Sequence, residues 1–227
     1  MAKASSISMS FKIVESDAEI KRRVFKAIRE EMNIILPKLV KGIRDDVGDR
    51  IIKQVFRNSD EYSALVNGPL DAHFGMTQHQ AVNFLDAILN TLADSVQVEF
   101  KRVSVRAGGF SGGLKIFAIK SDFSDILALQ EAHVVTNKGF DLPWLEWLLI
   151  EGDSIIISDY KIQFGNFIRS RSGSAIMLSD TSSSWRVPPG VSGTINNNWL
   201  TRMISRSIGF LEKAITASVK KQIERVT

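Results

Sequence analysis

The residues of this chain whose types could do chemistry are three histidines, two pairs of carboxylates, a serine among glycines and a glycine cluster. Their spacing decides what each can do. The histidines stand at 73, 79 and 133. His73 and His79 are six apart, which does not place both rings on one helix face, and no carboxylate cluster joins them. They read as polar or partly buried side chains rather than metal ligands. Asp45 with Asp46, and Asp122 with Asp125, are neighbouring acids of the kind that is ordinarily solvated. Ser172 in SRSGSA lacks the G-x-S-x-G pattern and the strand–turn–helix setting of a nucleophile elbow, so a hydrolase built on Ser172 or His133 is the weakest class. The glycines at 108, 109, 112 and 113 fit neither phosphate-loop spacing, and no helix follows them; they read as the tip of a hairpin. The chain has no Cys, which excludes thiol catalysis, disulfides and thiolate metal sites. The expectation is a protein that is not an enzyme and uses no cofactor and no metal.

The elements that would position these residues follow from the hydrophobic pattern. With 227 residues, 44% hydrophobic and 24% charged, the chain fits a single domain over 1–227 that is large enough for a full core. No apolar run is long enough to cross a bilayer, and Met1 to Ser10 lacks the apolar centre of a signal peptide, so neither a membrane nor export is expected. Residues 1–15 read as an arm or edge strand, because Ile7, Met9, Phe11 and Ile13 alternate with polar positions from Ser6 to Val14. Residues 16–94 read as helical. Ser16 and Glu19 form a capping box, and apolar residues recur at helical spacing to about Phe56, with a kink or break at Pro37. Asn58 and Glu61 cap a short helix ended by Gly68–Pro69, and Thr77 caps another that ends near Asp94.

Residues 95–195 read as strand-rich. Val96 to Val105 pairs with Leu114 to Ile119, Ile126 to Val135 forms a strand, and Ile155–Ile157 with Ile162–Phe164 forms a further hairpin. A short helix spans 143–151, between Pro143 and Gly152. Residues 196–227 read as a C-terminal helix capped from Asn196–Asn198. The fold class is α+β, a mainly antiparallel sheet flanked by long amphipathic N- and C-terminal helices.

Arg169 to Trp199 shows no sustained period. It is rich in turn formers yet carries Ile176, Met177, Trp185 and Val187, which points to an ordered surface loop rather than a disordered one. Arg169 and Arg171 beside serine hydroxyls could hold phosphates, and a basic nucleic-acid-binding protein is the alternative function. Against it, the nearby aromatics Phe167 and Trp185 are not closely spaced for base stacking. Charge is segregated. Between Asp122 and Tyr160 eight acids face Lys138 alone, whereas Arg202, Arg206, Lys213, Lys220, Lys221 and Arg225 dominate the tail. Such patches could dock the middle of one copy on the tail of the next.

Three phrases carry a resemblance to a known family: EYSALVNGPLDAHFG, then KGFDLPWLEWLLIEGDSIII, then SRSGSAIM followed by WRVPPGVSGTINNNWLTRMI. Over about Asn58 to Ser207 the chain resembles tail-completion and head-to-tail joining (neck) proteins of tailed bacteriophages, the virion morphogenesis or minor tail type. The resemblance implies an α+β structural virion protein that forms a homo-oligomeric ring at the head–tail connector. Its neighbours would be other phage neck, connector or tail proteins, and genomic DNA would pass through the channel without sequence recognition. The place of action would be the virion, assembled in the host cytoplasm. The positions matching the family's phrases are Ser170, Arg171, Ser172, Gly173, Trp185, Pro188, Gly193, Thr194 and Asn198. With Arg169, Arg202 and Arg206 they form the expected interface set. The long first helix departs from the family's pattern.

Overall fold

The computed structural model describes residues 15–106, 109–117, 123–136 and 138–226. The strand expected over Ser6 to Val14 lies outside them, as do Gly108, Ile119 and Asp122. The described chain mixes helices with antiparallel strand pairs, the α+β class the sequence implies.

Ser16 Oγ accepts the Glu19 N–H at 3.3 Å and starts helix α1, Asp17–Asp46. No residue of 17–38 is buried; the first core side chain is Leu39. The helix does not break at Pro37. That residue is exposed, so water can take the carbonyl left without an N–H partner. The irregularity comes ten residues later, as a π-helical turn over Val47–Ile52 before α2, Lys53–Arg57. This turn buries Val47, Gly48, Ile51 and Ile52 together. A Cβ on Gly48 would stand 2.5 Å from the Ala93 carbonyl oxygen, so only glycine lets the end of α5, Gln78–Asp94, approach so closely.

Ser59, not Asn58, caps α3, Asp60–Asn67, because its hydroxyl reaches the Tyr62 N–H at 3.0 Å. A short α4, Leu70–His73, follows. Thr77 and Gln80 complete a capping box for α5, whose Leu85, Ile88, Leu89 and Leu92 enter the core at helical spacing.

The strands form three separate pairs rather than one sheet. β1, Gln97–Arg106, pairs with β2, Gly109–Phe117, so Gly109, Gly112 and Gly113 lie within a strand instead of at a flexible tip. The register shifts between Lys101 and Ser104, and the Asn33 side chain satisfies the bulged backbone. Its Nδ2 donates to the Val103 carbonyl at 3.0 Å, and its Oδ1 accepts the Val103 N–H at 2.8 Å. The hairpin is thereby locked to α1. Ile126 to Val135 is mostly not a strand. It forms the turn α6, Ser124–Leu127, then a 3₁₀ turn, Gln130–Ala132, before β3, Val134–Val135, which pairs with β4, Asp141–Leu142. Ile155 to Phe164 is not a hairpin either. β5, Ile157–Phe164, is one strand, and its partner β6, Ala175–Trp185, runs through the stretch expected to be a loop.

Between β4 and β5 in the chain, α7, Trp144–Leu149, buries Trp144, Leu145, Leu148 and Leu149. The C-terminal helix is interrupted at Ser207, giving α8, Trp199–Arg206, and α9, Ile208–Val226. Asn198 caps α8 reciprocally with Thr201. One apolar cluster runs from Leu39 to Met203 and includes Phe56, Phe74, Trp144, Trp185 and Trp199.

Arg202 is drawn into this core. Its Nε and Nη2 donate to Glu61 Oε1 at 3.3 and 2.9 Å, and its other N–H groups reach the carbonyls of Val191, Ser192 and Asn197. All five donors of the guanidinium therefore have acceptors. The Glu61 side chain is 4% exposed, and truncating one partner of so buried a pair costs about 3–5 kcal/mol. Arg202→Met should lower stability by about that amount in denaturant unfolding, whereas Arg206→Met, at an exposed position, should change it by less than about 0.5 kcal/mol. Equal effects would show that the Glu61 pair does not hold α8.

Candidate functional site

Residues from several segments enclose a cavity of about 470 Å³. His73, Phe74 and Gly75 come from the end of α4, Phe140 from the β3–β4 turn, Leu142 from β4, Trp147 from α7, and Ile157 and Ile162 from β5. Arg169 to Ser172 belong to the 165–174 connection, and Ala175 to Met177 with Trp185 belong to β6. All of these positions except Ile162 and Arg169 fall within the three phrases quoted above, so segments more than a hundred residues apart close on one space.

Trp185 is the hub of its aromatic wall. Its ring lies 5.8 Å from Trp147 and 6.2 Å from Phe74, both edge to face, and is stacked on His73 at 6.5 Å. The Trp185 indole N–H donates to His73 Nδ1 at 3.2 Å. That bond requires an unprotonated Nδ1, and burial shifts the His73 pKa below the ordinary histidine value, which favours the same neutral form.

The serines of SRSGSA close the connection on itself. Ser170 Oγ donates to the Ala175 carbonyl and accepts the Gly173 N–H at 3.1 Å, while Ser172 Oγ accepts the N–H groups of Ser174 and Ala175 at 3.3 and 3.2 Å. The segment is an ordered turn that carries Arg169 and Ile168 outward and Arg171 inward. The Arg171 guanidinium lies across Gly75, where φ is +65° and a Cβ would come within 2.3 Å of Nη2. The positive φ favours glycine there, and the absent Cβ leaves room for the guanidinium. Arg171 donates to the Phe74 and Val135 carbonyls, each at 3.4 Å, and burial lowers its pKa from the usual arginine value.

The structure brings Arg169, Ser170, Arg171, Ser172 and Trp185 together at this cavity and disperses the rest of the expected interface set. Gly173 is exposed on the turn, and Pro188 is half-buried. Trp185, Gly193 and Asn198 are buried and hold the fold rather than offer a surface. Arg202 is committed to Glu61, so the tail cations that face outward are Arg206, Lys213, Lys220, Lys221 and Arg225. The histidines go to three separate places. His133 pairs with Asp141 at 3.0 Å and His79 with Asn83 at 3.2 Å. Among the described residues no group of three or more His, Asp or Glu side chains is placed to hold a metal ion. Sequence reasoning missed His73, Phe74, Phe140 and Trp147 as pocket residues; they come from three separate segments, with no spacing that links any of them to Arg171. No family model matches the chain, and no curated protein or solved structure is significantly similar to it.

The His73 geometry has a pH consequence. Because the folded pKa is depressed, the unfolded chain takes up the His73 proton first as pH falls, so stability declines as pH falls below about 6.5. His73→Gln keeps an acceptor for Trp185 without a titrating group. Between about pH 5 and 6.5 its stability should fall less steeply with acid than that of the native chain, measured by unfolding at each pH. Parallel curves would mean that His73 is not held neutral.

Proposed function

We propose that this chain is a structural virion subunit that assembles into a ring at the bacteriophage head–tail junction, joining connector to tail around a channel for DNA. The observation that carries this reading is an apolar stripe without a covering element among the described residues. Ile20, Val24 and Ile28 follow one another every four residues on α1, Ile34 returns to the side of Ile20 about four turns on, and all four are 37 to 55% exposed. They lie in the part of the helix that contributes nothing to the core. Leaving such a row in water is unfavourable by roughly 25 cal/mol per Å² of apolar area, and a neighbouring copy covers it.

The α1–hairpin unit is stiff enough to act as a docking arm. Asn33 pins Val103, and Phe25 meets Phe110 edge to face at 5.3 Å. A second outward feature, the turn bearing Ile168, supplies a different surface. Two unlike patches on one subunit are what a head-to-tail ring interface requires. The resemblance to neck proteins gives the biological setting, and the convergence of its three phrases on one cavity supports treating them as one structural unit. The charge-docking idea survives only with Arg206 and the α9 cations on the basic side, since Arg202 is internal.

The second reading, a nucleic-acid-binding protein, draws on Lys213 and Lys220, which flank one shallow groove on α9. Electron microscopy of the concentrated, purified chain separates the two. Annular particles with a central passage are expected, and Val24→Asp with Ile28→Asp should abolish them without lowering the melting temperature. A chain that stays monomeric at every concentration and shifts short DNA in a salt-dependent way would reject the ring in favour of the second reading.

A further inference from the structure

Arg171 and Arg202 are both drawn partly out of water, and they differ in one respect. Arg202 has a carboxylate and acceptors for all five donors. Arg171 is half-buried beside an aromatic wall and has two carbonyl contacts, both at 3.4 Å, longer than the about 2.7–2.9 Å of a charge-assisted bond. Among the described residues no carboxylate pairs with it. A guanidinium removed from water without an anion is unfavourable, and the fold holds it there through the SRSGSA turn and the space above Gly75. Arg169 adds a second positive charge at the same cavity. The remaining wall is largely apolar, with His73, Thr136, Ser170 and Ser172 as its polar members, and Phe140 and Val135 stand near it, each 64% exposed.

We propose that this cavity is a docking pocket for an acidic peptide segment, which places one carboxylate on the Arg171 guanidinium and an adjacent apolar side chain against Trp147 and Phe140. The planar fork of a guanidinium matches a carboxylate bidentately. A phosphate-rich strand would need more cationic donors than Arg169 and Arg171 supply, and successive stacked bases would need several open rings, whereas Phe140 is exposed but Phe74 is buried and Trp185 is buried edge to face between Trp147 and Phe74. That the segment belongs to a neighbouring virion subunit rests on the ring reading. The carboxylate-and-apolar chemistry does not, and a titration of the isolated chain can fail while the ring stands, or succeed while it falls.

The test is a titration of the full chain with a capped Leu-Asp-Phe-Asp-Leu peptide and its Asn counterpart, followed by tryptophan fluorescence, since Trp147 and Trp185 line the pocket. The Asp peptide should bind saturably and at least about tenfold more tightly than the Asn peptide, the scale of one charge-assisted pair. Arg171→Gln should remove that discrimination, and Phe140→Ala, at an exposed position, should weaken both peptides alike with Arg171 intact. Equal binding of the two peptides, binding of neither, or discrimination that persists in Arg171→Gln would overturn the proposal. Displacement of the peptide by equimolar inorganic phosphate or short single-stranded DNA would overturn it too, in favour of a phosphate site. Should Arg171→Gln fail to fold, the Asp–Asn comparison on the native chain and on Phe140→Ala still decides.

Discussion

The structure depends on burying one ion pair. Glu61 on α3 and Arg202 on α8 are 141 positions apart, and neither could leave water without the other. Once paired, the guanidinium also takes the carbonyls of Val191, Ser192 and Asn197, so an irregular stretch between β6 and α8 gains the hydrogen bonds its backbone needs. Beside the pair, the Trp199 indole donates to Ser59 Oγ at 2.8 Å and its ring meets Phe56 at 5.9 Å, so the same junction is apolar and polar at once. With α8 fixed on α2 and α3, Trp185 and Val187 are drawn into the core, and Trp185 in turn forms the wall of the cavity.

From that junction the molecule divides its labour. The core half of α1, the π-turn, α5, α7 and α8 bury their apolar residues among themselves. The first half of α1, the β1–β2 hairpin and the 165–174 turn take no comparable share, and they carry the exposed Ile20, Val24, Ile28, Phe110 and Ile168. A chain that spends helix and hairpin on ordered but uncovered apolar surface is suited to association. The histidines and the serine turn serve folding in the contacts described: His73 receives the Trp185 N–H, His133 meets Asp141, and Ser172 ties the turn.

Helices were legible where capping and period agreed. Thr77 and the Leu85–Leu92 series gave α5, and Asn198 gave the start of α8. What failed to show had local causes. Pro37 reads as a break, but an exposed proline can be carried by a helix packed on both sides of it, and the π-turn at Val47–Ile52 leaves no mark in the apolar spacing. β6 was hidden because its register with β5 shifts opposite Asp159, where φ is +64°, and the polar residues Asp180 to Ser183 fill the bulge, so no alternation survives. The cavity was half legible. Arg171 and Trp185 stood out as types, but their meeting with His73, Phe74 and Trp147 is set by tertiary packing that no spacing encodes. Arg202 misled as a surface cation because its partner lies so far away in sequence.

The central claim is that the uncovered helix face and the serine-closed turn are surfaces for other protein chains. Amide hydrogen exchange, compared between the isolated chain and the chain within its assembled particle, tests it most directly. The account predicts slowed exchange on assembly at 20–34 and 165–174, with the core helices α5 and α8 unchanged. Exchange at both segments identical in the two states, with protection gained elsewhere, would contradict it.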